Sequence, residues 1–170
     1  LVAAGNVSDC QMKNCCNALS QSWGGSLIEF SVLQNPNTIL QSLTKENGLA
    51  QLLGDPAKIL SNGGTWLEAL GAWRHPTILI ANSSSSDSEI SGSVMAYTAL
   101  CRQFLIPLLG IVQYGGGWDS ISRKRDGLPW CGWVPEKENN DIEVTRNDLY
   151  LEEKNYEVVM NLKQRLNHLS

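Results

Sequence analysis

Apolar residues in this chain come in short runs closed by turn residues, and between the runs they recur at three- and four-residue spacing. The first pattern predicts buried strands and the second predicts amphipathic helices. Leu1 to Ala4 is the first run, stopped by Gly5-Asn6; Ser8 or Asp9 can then cap a helix over Cys10 to Ser22, which Trp23-Gly24-Gly25 breaks. β-branched and aromatic residues over Ser26 to Leu33 give a second strand, closed by Gln34-Asn35-Pro36. Ile39, Leu40, Leu43, Leu49, Leu52 and Leu53 predict a helix over Asn37 to Leu53, with Asn47-Gly48 as a point where it can split. Gly54-Asp55-Pro56 ends that helix and starts a short one at Ala57; Asn62-Gly63-Gly64 is a turn before a further helix from Thr65 to Trp73.

Pro76 to Ala81 is continuously apolar and β-branched, as a strand covered on both faces must be. The polar loop Ser83 to Ser88 follows, with Asp87 or Ser88 as cap of a helix whose apolar stripe is Ile90, Val94, Tyr97, Leu100, Cys101 and Phe104. Pro107 to Gln113 is the next buried strand, halted by Tyr114 and Gly115 to Gly117. Asp119 to Arg125 reads as a short helix or basic loop, and Leu128 to Val134 as the last strand, ending at Pro135. Glu136 to Leu149 is polar and reads as loop, and Leu151 to Leu169 closes the chain as a helix with Val158, Val159, Leu162, Leu166 and Leu169 on one face. Five strands alternating with helices predict an α/β fold, three layers α/β/α around a mostly parallel five-stranded sheet of the Rossmann-like kind. A length of 170 residues suits a single domain, 1–170.

Composition narrows the function. With 42% hydrophobic and 18% charged residues the chain can bury a core, and 13 Lys+Arg against 17 Asp+Glu argue against a nucleic-acid partner. No apolar run is long enough for a bilayer span, and the start lacks a charged segment followed by an apolar one. Five cysteines, an odd number, fit a reducing compartment, so a soluble, cytoplasmic protein without a membrane partner is expected. Leu1 in place of Met, opening directly on an apolar run, reads as a fragment or a trimmed chain.

In a sheet of this kind ligands bind beyond the carboxyl ends of the strands, where loop amides and helix N-termini converge. Those ends supply Asn6, Ser8, Asn82, Ser83, Ser84, Gln113, Gly115, Gly116, Pro135 and Glu136 as candidate ligand-binding residues. The serine loop is the strongest, because four hydroxyls precede a helix start; helix capping and ordinary loop polarity compete with a ligand as the reason for these residues. Catalytic constellations are missing. No Gly-x-x-x-x-Gly-Lys-Ser/Thr and no Gly-x-Gly-x-x-Gly occurs. His75 sits at the amino end of its strand and His168 in the last turn, so neither serves a Ser-His-Asp triad. Cys10, Cys15 and Cys16 lack zinc-ligand spacing and read as small buried hydrophobes, so no metal is expected. Asp9, Asp87 and Asp119 read as helix caps. Trp66 and Trp73, seven apart, share a helix face as core or interface residues, and Trp130 and Trp133 fall on opposite faces of a strand.

The segments PTILIAN, SGSVMAYTALCR, IPLLGIVQ and LPWCGWVPE, taken in order over Pro76 to Glu136, resemble the later half of the dethiobiotin synthetase family of P-loop-related proteins. The resemblance implies a nucleotide site with its adenine end at the loops after the last two strands. Gln113 falls where that family commonly has an Asn touching adenine, and Val134, Pro135 and Glu136 match the exit of the late strand. The family's phosphate loop and its lysine have no counterpart here. The expectation is therefore a nucleotide- or small-anion-binding domain, with ATP or another nucleotide as ligand, without catalytic competence of its own and self-associating into a homo-oligomer. An alternative is an ATP-dependent ligase-type enzyme completed by residues upstream of Leu1 or by a partner subunit. Another is a flavodoxin-like FMN binder with Asn6, Asn82 and Gly115 around the flavin and Trp118 or Tyr114 stacked on it.

Overall fold

The computed structural model describes residues 1–61, 63–83, 91–136 and 144–169. Among these residues the elements run β1 (Val2–Ala3), α1 (Asp9–Trp23), β2 (Ser26–Ser31), α2 (Pro36–Leu43), β3 (Gly48–Leu53), α3 (Trp66–Ala72), β4 (Thr77–Asn82), α4 (Gly92–Gln103), β5 (Leu108–Tyr114), α5 (Ser120–Arg125), β6 (Trp130–Val134) and α6 (Val144–Asn167). Every strand pair is parallel, with β1-β4-β5-β6 in one sheet and β2-β3 in a second. Leu1 joins the two: its nitrogen donates to Ala50 O at 2.7 Å, and its carbonyl accepts from Leu52 N–H at 3.0 Å. That is the hydrogen-bond spacing of a parallel bridge, so the strands lie side by side as β2-β3-β1-β4-β5-β6. The fold is α/β and Rossmann-like, with four strands plus two in place of the expected five.

Burial explains the sequence pattern strand by strand. In β4, Ile78 and Ile80 point into the core under α1 and α6, whereas Leu79 and Ala81 point into the core under α2, α3 and α4. Alternate side chains of a strand face opposite ways, so a strand with helices on both sides has to be apolar throughout. The first core packs Met12, Cys15, Cys16 and Leu19 of α1 against Val158, Val159 and Leu162 of α6. In the second, Leu40, Trp66, Leu67, Leu70, Val94 and Cys101 meet Val2, Leu52 and Ile111. No helix of the described residues is long and apolar enough to cross a membrane.

Four local expectations are corrected. The predicted helix over Asn37 to Leu53 ends at Leu43, and its last third is β3. No helix starts at Ala57, whose N–H instead bonds Asp55 Oδ1 at 2.8 Å in a local turn. Ser91, rather than Asp87 or Ser88, caps α4; those two lie outside the described residues. The last helix begins at Val144, inside the stretch expected to be loop. Of the two tryptophans read as core or interface, Trp66 is core, its Nε1 donating to Val32 O at 3.0 Å, and Trp73 is the C-cap of α3 and 39% exposed.

Cysteine burial divides the thiols. Cys15, Cys16, Cys101 and Cys131 are buried, while Cys10, on the first turn of α1, is exposed and not the buried hydrophobe expected. Burial pushes the Cys16 thiol up to about 12 and those of Cys101 and Cys131 up to about 11. Thiolate is the reactive form, so in the native protein a disulfide reagent should label Cys10 rapidly and the other four only on unfolding, as peptide mass mapping would show. The sign for stability follows: folding disfavours these thiolates, so stability is intact below the ordinary thiol value of 9.0 and falls as pH rises through and above it.

Candidate functional site

The order β2-β3-β1-β4-β5-β6 puts a topological switch point between β1 and β4, because the chain leaves β1 toward one edge and leaves β4 toward the other. A ligand crevice is expected beyond the carboxyl ends of those two strands. Here the chain fills it. Ser93 Oγ, in the first turn of α4, donates to Ala4 O at 3.2 Å, and a Cβ added at Gly5 would overlap that hydroxyl oxygen. Glycine, at φ +91, is what lets α4 sit down on β1. Next to it, Ser8 and Gln11 spend themselves in a reciprocal cap, Gln11 N–H donating to Ser8 Oγ at 3.2 Å and Ser8 N–H to Gln11 Oε1 at 3.1 Å. Asp9 adds a carboxylate to this first turn, where a phosphate would otherwise be drawn by the helix dipole. Ser8 is thus taken up by the cap of α1.

Further along the rim the structure does gather sequence-predicted residues. Ser83 N–H bonds Tyr114 O at 3.3 Å, and Gly115 N–H bonds Val134 O at 2.9 Å, tying the ends of β4, β5 and β6 together. Around this seam a Cβ at Gly115 would lie 3.4 Å from Glu136 Oε2 and 4.0 Å from Asn82 Oδ1, and one at Gly116 only 2.7 Å from Ser83 Oγ. Asn82, Ser83, Gly115, Gly116 and Glu136 therefore share one corner, with Pro135 beside them in sequence. Ser83 Oγ is buried and has no hydrogen-bond partner among the described residues. Ser84, with the rest of the serine loop, lies outside the described residues.

Gln113 has a different duty. It is 1% exposed; its Nε2 donates to Gly115 O and Gly117 O, each at 3.0 Å, and its Oε1 accepts from Arg123 Nε at 3.0 Å and Nη2 at 2.9 Å. Two donors and two acceptor sites are all that a glutamine amide offers. The side chain shapes the glycine turn, and a contact to a base would require it to surrender one of these four bonds.

The open space lies on the other side of that corner, between α1 and α6. A cavity of about 640 Å³ is lined by Asn14, Asn17 and Gln21 of α1, by Tyr114 and Pro135-Glu136 at the strand ends, and by Glu152 and Asn155 of α6. Asn155 is 8% exposed, and its Oδ1 has no hydrogen-bond partner among the described residues. Burial raises the Tyr114 phenol, partly opposed by its hydrogen bond with Asn14. No Lys, Arg or His contributes to the described lining. Amides and carboxylates of this kind offer donors and acceptors to a neutral or cationic ring and repel a polyanion.

Sequence reasoning found Pro135 and Glu136 and missed the amides. Their signal was nevertheless present: Asn14, Asn17 and Gln21 recur at helical spacing, and Asn155 stands four residues after Leu151 and three before Val158, in register with an apolar stripe. Elsewhere, Asp119 caps α5, accepting from Ile121 N–H at 2.9 Å and Ser122 N–H at 3.2 Å. Trp118 packs edge-on to Trp130 at 6.0 Å between ring centroids, and Tyr114 is buried at the wall of the cavity between α1 and α6. Burial lowers the His75 imidazole, which sits before β4 at the amino end of the sheet. Among the described residues no group of three or more His, Cys, Asp or Glu is placed to hold a metal ion. The chain matches no protein-family model and no curated protein.

Proposed function

We propose that the chain is a binding protein for a nucleoside-type ligand, held by its base in the cavity between α1 and α6, with no phosphoryl chemistry of its own. The observation that carries this reading is Asn155, a buried amide on the cavity wall whose Oδ1 lacks a partner among the described residues. A buried unpaired acceptor costs roughly 1–3 kcal/mol, and the exocyclic amine of a base would satisfy it. Asn14, Asn17 and Gln21 add further donors and acceptors for ring nitrogens. The resemblance over Pro76 to Glu136 points to the same end of the sheet for an adenine.

Charge argues for the base and against the phosphates. Glu136 and Glu152 line the cavity, and the start of α1 carries Asp9 in place of the Gly-Lys-Ser/Thr that a phosphate loop needs. A small inorganic anion therefore fits this cavity less well than a nucleoside, and ATP-driven ligation would have to draw its phosphate-binding groups from outside this chain.

Thermal shift and calorimetry with adenosine and with Mg-ATP test the proposal. Adenosine at about 100 times its dissociation constant adds about 2.7 kcal/mol, which raises the melting midpoint of a domain of this length by roughly 5–10 °C. Asn155→Leu should weaken adenosine by about tenfold, the equivalent of a lost hydrogen bond to a buried group. Absence of a shift with adenosine, or Mg-ATP binding far more tightly than adenosine, overturns the reading.

A further inference from the structure

A second cavity, of about 720 Å³, lies beside β6, remote in character from the first. Its walls are α5 and α6 and its floor is the strand itself. β6 ends the sheet, since among the described residues no strand pairs beyond it. Val134 O accepts from Gly115 N–H on the β5 side, so the backbone groups of Trp133, one residue earlier, turn outward into the cavity. Among the described residues, side chains of α6 cover the amino half of this edge, Arg165 Nη2 donating to Trp130 O at 2.8 Å and Asn161 Nδ2 to Cys131 O at 2.9 Å. An open strand edge of this kind is a template for one more strand.

Charge on the walls says which strand. α5 contributes Arg123 and Lys124, and α6 contributes Lys154 and Arg165; Glu157, the one carboxylate in the described lining, pairs with Lys154 Nζ at 2.9 Å, an exposed i,i+3 contact that a carboxylate of an added strand would share or displace. This concentration of cations occurs in a chain whose net charge is -4. The α5 wall is rigid as well as basic: the Arg123 guanidinium lies 5.9 Å from the Trp118 ring and 5.1 Å from the Trp130 ring. Successive side chains of an added strand would point to opposite walls, and both walls are basic.

We propose that this edge takes up an extended acidic segment of a partner protein, paired with β6 through the backbone at Trp133, its carboxylates reaching Lys124 on one wall and Lys154 on the other. Backbone pairing supplies the grip, and the charge on both walls selects acidic side chains at consecutive positions over alternating ones. The site is independent of the nucleoside cavity, because it shares no lining residue with it.

The probe is a fluorescein-labelled octapeptide of glutamates interrupted by single valines, titrated into the whole chain and followed by anisotropy. Saturable binding that weakens with salt is expected, and the double reversal Lys124→Glu with Lys154→Glu should weaken it by about tenfold or more while leaving the melting midpoint and adenosine binding in place. N-methylation of alternate peptide amides keeps the charge and removes half of the donors, and should weaken binding to a similar degree. No saturable binding, full affinity of the N-methylated peptide or of the double-reversal variant, or complete displacement by inorganic phosphate at equal concentration each overturns the proposal, the last by assigning the groove to a small anion.

Discussion

Gly48→Ala is expected to destabilise the protein by about 4 kcal/mol, the sum of backbone strain and a clash that cannot relax. Gly48 opens β3 at φ +143, a backbone conformation that side chains rarely adopt. It pairs with Ser26 of β2, and an added Cβ would overlap the Ser26 carbonyl oxygen and stand 2.8 Å from the Ser26 nitrogen. Both are backbone atoms of the adjoining strand, so no side chain can swing aside. Relief requires β2 and β3 to move apart at their amino ends, where Ser26 Oγ also bonds Asn47 O at 3.3 Å. At 2–4 °C for each kcal/mol in a chain of this length, the melting midpoint should fall by roughly 10 °C, measured by calorimetry. Gly63→Ala is the control for φ strain alone, since its Cβ would meet nothing within 4 Å at φ +81.

The same glycine marks where reading the sequence goes astray. Leu49, Leu52 and Leu53 repeat the one- and three-residue steps of Ile39, Leu40 and Leu43, so spacing within each group allows one helix through all six. The spacing of three between Leu49 and Leu52 is also what a strand with two covered faces produces, and Gly48 decides between them by pairing with Ser26. In the structure Leu49 enters the core under α1 and Leu52 the core under α2 and α3. β4 and β5 raise no such ambiguity, because their apolar runs are continuous and β-branched.

The candidate site was legible to a lesser degree. Strand ends can be read from runs and turns, which is how Asn82, Ser83, Gly115, Gly116, Pro135 and Glu136 come out as neighbours at one corner. Which side of the sheet stays open depends on how the helices sit. Ser93 of α4 closes the space over β1 through a contact with Gly5 across 88 positions of sequence, a pairing no local pattern contains. Asn14 and Asn155 come together only because α1 and α6 cover the same face.

Gln113→Leu separates the two roles this residue can have. If it shapes the turn, as its four hydrogen bonds indicate, the substitution removes the acceptor of Arg123 Nε and Nη2 and the donor to Gly115 O and Gly117 O, all in a buried setting. Hydrogen bonds to charged groups contribute about 1.5–3 kcal/mol and neutral ones about 1, so a loss of about 3 kcal/mol is expected even with partial rearrangement. In urea that is a fall of roughly 1 M or more in the unfolding midpoint. The Gly115-to-Gly117 turn adjoins Tyr114 and lies 3.4 Å from Glu136 Oε2 at the Gly115 Cβ position, so its loosening reaches the cavity wall and should weaken adenosine by only a few fold, well short of the loss at Asn155. A variant that keeps its urea midpoint but no longer binds adenosine would instead make Gln113 the base contact that the family resemblance implies. Gln113→Glu sharpens the comparison: its carboxylate keeps the two Arg123 contacts but turns lone pairs toward the Gly115 and Gly117 carbonyls, so stability should fall again, through the turn and not through the guanidinium.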